Sequence, residues 1–214
     1  MNFNVPILSN TSLSQKTIVA IEGLNGVGKT TLVEHVGASF PSIKTSQSTP
    51  AIYIKNIEIR SYILFSASQM ASALYYLSGI TDLTSLLKRE PSRSILLDRS
   101  IWSTLAAAYA KDPQIVPMLF SLLSEMQDYL MIPDYIVVLN ASYKTCLERI
   151  AKKHSGKEFD KDSEEIFDKK KEFYGILKNA GYPMQFIETD DLDPNEVYYR
   201  FQKLDLFDRL MTRR

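Results

Sequence analysis

Short β-branched and aliphatic runs alternate along the chain with stretches whose apolar positions return every three or four residues. Thr17–Glu22, Ile43–Thr45, Ser94–Asp98, Asp134–Leu139 and Met184–Glu188 read as strands. The fourth is almost continuously apolar, as a strand covered on both faces of a parallel sheet should be. Leu32, Val33, Val36 and Phe40 line one face of a predicted helix, which Pro41 stops. Ile115, Leu119, Leu122 and Met126 repeat the pattern, and residues 141–182 read as a charged helical region interrupted around His154–Gly156. Strands alternating with helices predict an α/β fold of three layers, a parallel sheet with helices on both faces. No repeat, Gly/Ser linker or low-complexity block divides the chain, so residues 17–214 are expected to form a single domain. Residues 1–16 are rich in Asn, Ser and Thr, lack the cationic start and apolar run of a signal peptide, and are expected to be a flexible tail.

Composition narrows the partners more than the fold. Hydrophobic residues make up 45% and charged residues 23%, within the globular range. Lys+Arg and Asp+Glu stand at 25 each, so no global field favours a nucleic-acid polymer or an anionic membrane, and any anion site must be built locally. No apolar run approaches the roughly 20 residues of a membrane span. Cys146 is the single cysteine, which excludes an intramolecular disulfide and fits a reducing, cytoplasmic compartment. Its place on an amphipathic stretch predicts a buried, inert thiol.

The chemistry enters with Gly23-Leu24-Asn25-Gly26-Val27-Gly28-Lys29-Thr30, a complete G-x-x-x-x-G-K-[ST] between a strand and a helix. Its glycines let the N–H groups of Gly23, Asn25, Gly26, Val27 and Gly28 curl around phosphate oxygens, and the helix N-terminus adds partial positive charge. Lys29 is expected to reach the β- and γ-phosphates of ATP, Thr30 to ligate Mg²⁺, and Thr31 to touch phosphate more weakly. A GTPase would be expected to carry N-K-x-D after a later strand, and the chain has none.

Asp98-Arg99 closes the third strand, where strand carboxyl ends border the ligand crevice of a doubly wound sheet. Asp98 is expected beside the metal and Arg99 as a clamp on the acceptor phosphate, since a guanidinium bonds oxygen pairs bidentately. After the fourth strand come Arg149, Lys152, Lys153, His154 and Lys157, then Lys169–Lys171. These read as a lid over about residues 150–162, with Arg149 the first candidate to steady charge on the migrating phosphoryl group.

Ile21 through Leu32, with Leu97-Asp98-Arg99, Pro133-Asp134-Tyr135, Leu147-Glu148-Arg149-Ile150, Phe167–Tyr174 and Ile187–Val197, resembles the thymidylate kinase family over residues 17–205. Trp102-Ser103-Thr104 is similar to its mitochondrial UMP-CMP kinase branch. The resemblance implies a five-stranded sheet of order 2-3-1-4-5, a homodimer, and transfer of the ATP γ-phosphoryl group, with Mg²⁺, to a nucleoside monophosphate. It also implies substrate-binding roles for Glu22, Asn25, Phe65, Gln69, Arg99 and Ser103. Leu64–Gln69 is similar to the family's Phe-Ser-Ala-Asn-Arg helix, so Phe65 is expected to stack on a pyrimidine and Gln69 to read its edge with a switchable amide.

Besides Gln69, which replaces the arginine of that helix, other positions depart from the family pattern. Asn25 stands in place of Asp or Glu, Lys171 in place of an arginine, Ala107-Ala108 in place of Tyr-Gln, and residues 44–50 lack the acceptor arginine. The small Ala107 implies weaker discrimination against a ribose 2′-hydroxyl. A deoxynucleoside kinase, with Glu22 as the base for a 5′-hydroxyl, is the alternative enzyme. A non-catalytic nucleotide-binding protein is the third reading, opposed by the intact Lys29, Thr30, Asp98 and Arg99.

Overall fold

Alternate side chains of each central strand enter two different cores, which is why the strand runs carry so few polar residues. Val19 and Ile21 of β1 (Thr17–Gly23) pack on one face, Ile18 and Ala20 on the other. The same division holds for β3 (Ser94–Asp98) and β4 (Tyr135–Asn140). In the computed structural model, which describes residues 5–154 and 162–212, these strands join β2 (Ile43–Gln47) and β5 (Met184–Glu188) in one parallel sheet of order β2-β3-β1-β4-β5. The predicted order is therefore observed, and strand limits differ from the sequence reading by two residues at most.

Helices cover both faces. α1 (Lys29–Ser39) follows β1 and buries Leu32, Val33 and Val36, while Phe40 caps it ahead of Pro41. On the same side lie α7 (Tyr143–His154), α9 (Pro194–Gln202) and α10 (Asp205–Thr212), the second of these closed by an Asp193–Glu196 capping box. The other face carries α4 (Gln69–Lys88), α5 (Ile101–Lys111), α6 (Val116–Met126) and α8 (Glu164–Asn179) around the fully buried Trp102. Two short helices, α2 (Ala51–Lys55) and α3 (Ile57–Phe65), bridge β2 to α4. On α6 the deepest stripe is Val116, Leu119, Phe120 and Leu123, while Ile115, Leu122 and Met126 pack at its margin.

The expectation of a loose tail over residues 1–16 is corrected for residues 5–16. Leu8 and Leu13 are buried, the Leu8 amide donates to Tyr182 Oη at 3.0 Å, and that hydroxyl donates to the Pro6 carbonyl at 2.6 Å. Ser12 Oγ donates to the Leu130 carbonyl at 2.6 Å, and Asn10 Nδ2 bonds the Asp134 carboxylate at 3.3 Å. Polar composition suggested solvation; here the polar groups satisfy backbone and side-chain partners across the fold.

Candidate functional site

The carboxyl ends of β1 and β3 meet where the chain changes direction on the sheet, with Ile21 paired to Asp98. The glycine loop leaves β1 there. Gly26 holds φ 86°, and a β-carbon on it would sit 2.5 Å from the Cys146 carbonyl oxygen. The loop thus lies flat on α7, and only glycine permits both the turn and the approach. Gly28, at φ 101°, opens α1, whose first residue is Lys29.

Lys29 is buried, and its ammonium donates to the Leu24 carbonyl at 2.5 Å, inside the loop. Burial, and then the charge of Arg99, push it well below the usual lysine range, while Asp98 and Glu22 oppose the fall. A bound polyphosphate would restore the ammonium by the same electrostatics. Thr30 Oγ1 donates to Asp98 Oδ2 at 2.6 Å, and Asp98 Oδ1 is buried without a hydrogen-bond partner among the described residues. A hydroxyl and one carboxylate with an idle oxygen suit Mg²⁺, which keeps waters and phosphate oxygens for its remaining positions. No group of three or more acidic, histidine or cysteine ligands occurs among the described residues, so the donor set fits a phosphate-bridged cation and not an all-protein metal cage.

Arg99 follows at φ 74°, the one described non-glycine residue in the left-handed region. Its amide is anchored to the Ile21 carbonyl at 3.0 Å, and the guanidinium reaches back to Asn25 Oδ1 at 2.5 Å and Ser103 Oγ at 3.2 Å. Glu22 lies underneath, with none of its surface exposed. Ser100 donates to its Oε1 at 2.6 Å; Ser103 and Tyr174, the latter at 2.9 Å, donate to Oε2. Burial raises the Glu22 pKa above its ordinary 4.5, against these donors and Arg99, and burial beside Glu22 raises the Tyr174 phenol well above its usual value.

Beside this cluster opens a cavity of about 270 Å³. One wall is the phosphate loop and α5, through Gly23, Asn25, Arg99, Ser103 and Ala107. The opposite wall is α2–α4, through Tyr53, Arg60, Leu64 and Tyr76, and α8 adds Lys170 and Tyr174. Tyr76 is pushed up by burial, with the charge of Arg60 opposing.

Many of the predicted residues converge here, and several do not. Phe65 ends α3 and is 64% exposed; Gln69 begins α4. Ser66–Ser68 separates the two, with Ser68 Oγ accepting from the Ala71 amide, so the single helix expected over Leu64–Gln69 is broken, and neither residue lines the cavity. Arg60, Leu64 and Tyr76 stand there instead. Arg149 also points elsewhere. Its guanidinium donates to the Thr189 hydroxyl at 3.1 Å and to the carbonyls of Thr189, Asp190 and Leu192, tying α7 to the turn after β5. Thr189 Oγ1 in turn faces the Val27 carbonyl at 3.4 Å, so Arg149 buttresses the glycine loop from behind. Thr31, Lys152 and Lys153 are exposed, Glu22 lies behind the cavity and not on its wall, and Lys157 and most of the expected lid lie outside the described residues. Cys146 is buried, its thiol pushed up to about 11, as expected of an inert cysteine.

The family model described as thymidylate kinase matches residues 21–196. No protein of curated function matches the chain. Among solved structures, the thymidylate kinase of Candida albicans aligns with a TM-score of 0.68 at 20% identity, over 91% of this chain and 93% of that one. The deoxyadenosine kinase of M. mycoides with dCMP and dCDP gives 0.67 at 17% identity, over 92% and 100%. The same enzyme with dATP gives 0.65 at 16% identity, over 92% and 100%. At these identities the solved structures establish the fold.

Proposed function

The chain belongs to the thymidylate kinase family, and from that premise we propose that it transfers the γ-phosphoryl group of ATP to a pyrimidine (deoxy)nucleoside monophosphate such as dTMP. Membership makes it a nucleotide kinase; the acceptor is our own reading. The observation that carries it is the state of Glu22. A hydroxyl acceptor needs a base within hydrogen-bond reach of its proton. The Glu22 carboxylate is fully buried, occupied by three hydroxyl donors and absent from the cavity wall. Among the described residues no carboxylate lines that wall, and an acceptor that is already anionic needs none.

In this reading the loop amides and Lys29 hold the donor phosphates, and Thr30 and Asp98 would hold Mg²⁺. The bound cation supplies charge neutralisation on the phosphate oxygens. Arg99 would lie between the two substrates, since it lines the cavity and its guanidinium bonds Asn25 of the phosphate loop. It can therefore steady the acceptor phosphate in line with the donor without changing partner elements. Tyr53, Leu64 and Tyr76 offer the apolar and aromatic surface that a base requires, and Ala107 leaves room beside the sugar.

A homodimer in a reducing cytoplasmic compartment is part of the proposal. Ile57, Tyr62 and Phe65 expose apolar surface on α3, at 77%, 61% and 64%, that a second copy would cover. Among the described residues, no helix is long and apolar enough to cross a membrane. The test is kcat/KM for dTMP, dUMP, dCMP, CMP, UMP, dAMP and dGMP, with thymidine and deoxycytidine alongside, under one condition with Mg-ATP. Pyrimidine monophosphates should lead, with ribo and deoxy forms close together. A leading purine would overturn the base assignment, and turnover of nucleosides alone would move the chain to the deoxynucleoside kinases.

A further inference from the structure

Among the described residues the cavity wall carries three cations, Arg60, Arg99 and Lys170, and no acidic residue. Lys170 is the least expected of them. It is the middle of three consecutive lysines on α8, yet Lys169 pairs with Glu165 at the surface and Lys171 is exposed. Lys170 alone turns inward, because it lies one helical turn before Tyr174, which also faces the cavity. Its side chain is 16% exposed, and its ammonium donates to Asp162 Oδ2 at 2.5 Å, where Asp162 is 17% exposed. Tyr143 Oη, from α7, donates to the Asp162 carbonyl at 3.0 Å and fixes that residue beside the helix.

A cation so withdrawn from water costs free energy unless something anionic meets it. Asp162 supplies one partner, while Arg99 and Lys111 repel the ammonium, and burial lowers its pKa. An ammonium has three N–H donors, and Asp162 engages one of them. Arg99 lies within electrostatic reach of both Lys29 and Lys170. An anion placed against Arg99 for attack on the donor phosphate is therefore also within the field of Lys170.

We propose that Lys170 is a binding residue for the acceptor's phosphate, gripping it from α8 while Arg99 grips it from the end of β3, with Asp162 as the counter-ion that sets how strongly. The inference rests on the monophosphate reading above. It adds a residue that distinguishes a phosphorylated acceptor from a bare nucleoside.

The variants Lys170→Met, Lys170→Arg and Asp162→Asn decide it. Asn can still accept the lysine's hydrogen bond, but it removes the negative charge that competes with phosphate. Lys170→Met should raise KM for the monophosphate roughly 10- to 100-fold, the loss of a charged hydrogen bond. KM for ATP should stay within about twofold, because the contact belongs to the acceptor alone. Lys170→Arg should recover most of the loss, and Asp162→Asn should lower the acceptor KM. A second readout needs no turnover: dTMP should raise the melting temperature of the wild type more than thymidine does, and Lys170→Met or Lys170→Gln should shrink that difference, with Arg99 retaining the remainder. If Lys170 and Asp162 were only a structural pair, both substitutions would destabilise the protein and move the acceptor KM in the same direction. That result overturns the proposal, as does an unchanged acceptor KM in Lys170→Met. Failure of the wild type to phosphorylate any monophosphate would overturn the monophosphate reading and this proposal with it, and the wild-type control separates that outcome from the others.

Discussion

Replacing Glu22 by glutamine separates a monophosphate kinase from a nucleoside kinase in one protein. The carboxylate accepts hydrogen bonds from the hydroxyls of Ser100, Ser103 and Tyr174. In the variant one amide oxygen still accepts, and the amide NH₂ meets hydroxyls that can turn to accept from it. Shape is preserved and charge is lost. Each of the three bonds falls from the charged class, about 1.5–3 kcal/mol, to the neutral one, about 0.5–1.5 kcal/mol. Relief from burying an ionised carboxylate offsets this by several kcal/mol. The net change should lie within about 2 kcal/mol, which is a melting shift of about 8 °C or less for a chain of this size. The sign with pH follows from the shift. The folded-state pKa of Glu22 is raised above 4.5, so its contribution is fully present below the unfolded value and is lost as pH rises through the folded value. The variant should therefore compare better with wild type at neutral pH than at pH 4. For catalysis, a general base contributes about 10²–10⁴-fold. If the acceptor is a monophosphate, kcat/KM for dTMP should fall by less than about tenfold, since no such base is used. The assay is ADP release with dTMP and with thymidine, run beside circular dichroism and melting curves. A loss of about 100-fold or more on dTMP, with the fold intact, would refute the reasoning and make Glu22 the base.

Lys29→Ala should lower turnover by about 10³-fold or more with an unchanged circular dichroism spectrum, because it removes the charge aimed at the β- and γ-phosphates. Arg149→Met should lower the melting temperature and raise KM for ATP more than it lowers kcat, since its guanidinium binds loop carbonyls behind the glycine loop; a pure kcat defect would restore a transition-state role for Arg149. Phe65→Ala should leave the acceptor KM unchanged, whereas Tyr76→Ala should raise it roughly tenfold by removing aromatic surface from the cavity; steady-state kinetics with dTMP distinguish the two.

The phosphate site was legible in the sequence because its geometry is local. Gly23–Thr30 builds a curved backbone from eight consecutive residues, and Asp98 and Arg99 reach it through a strand register that parallel pairing dictates. The acceptor cavity was legible only in part. Asn25, Arg99, Ser103 and Ala107 lie near the loop and were expected; Arg60, Tyr76 and Lys170 come from helices whose approach no local pattern encodes. Phe65 and Gln69 failed for a specific reason. The apolar spacing of Ile63 and Leu64 runs on into Ala67 and Met70, which hides the break that Ser68 makes by capping a new helix. Arg149 failed because a cation near a phosphate loop suggests a ligand contact, whereas three backbone carbonyls of the turn at 189–192 had no partner visible in the sequence.

Arg99 stands at φ 74°, where a side chain bearing a β-carbon costs about 1–3 kcal/mol and glycine costs little. That conformation sets two selections against each other at one codon. A library sorted for thermal tolerance should enrich glycine or asparagine at position 99, while the same library sorted for phosphoryl transfer should return arginine. The divergence between the two pools would locate the acceptor site without any ligand bound, from genetics alone.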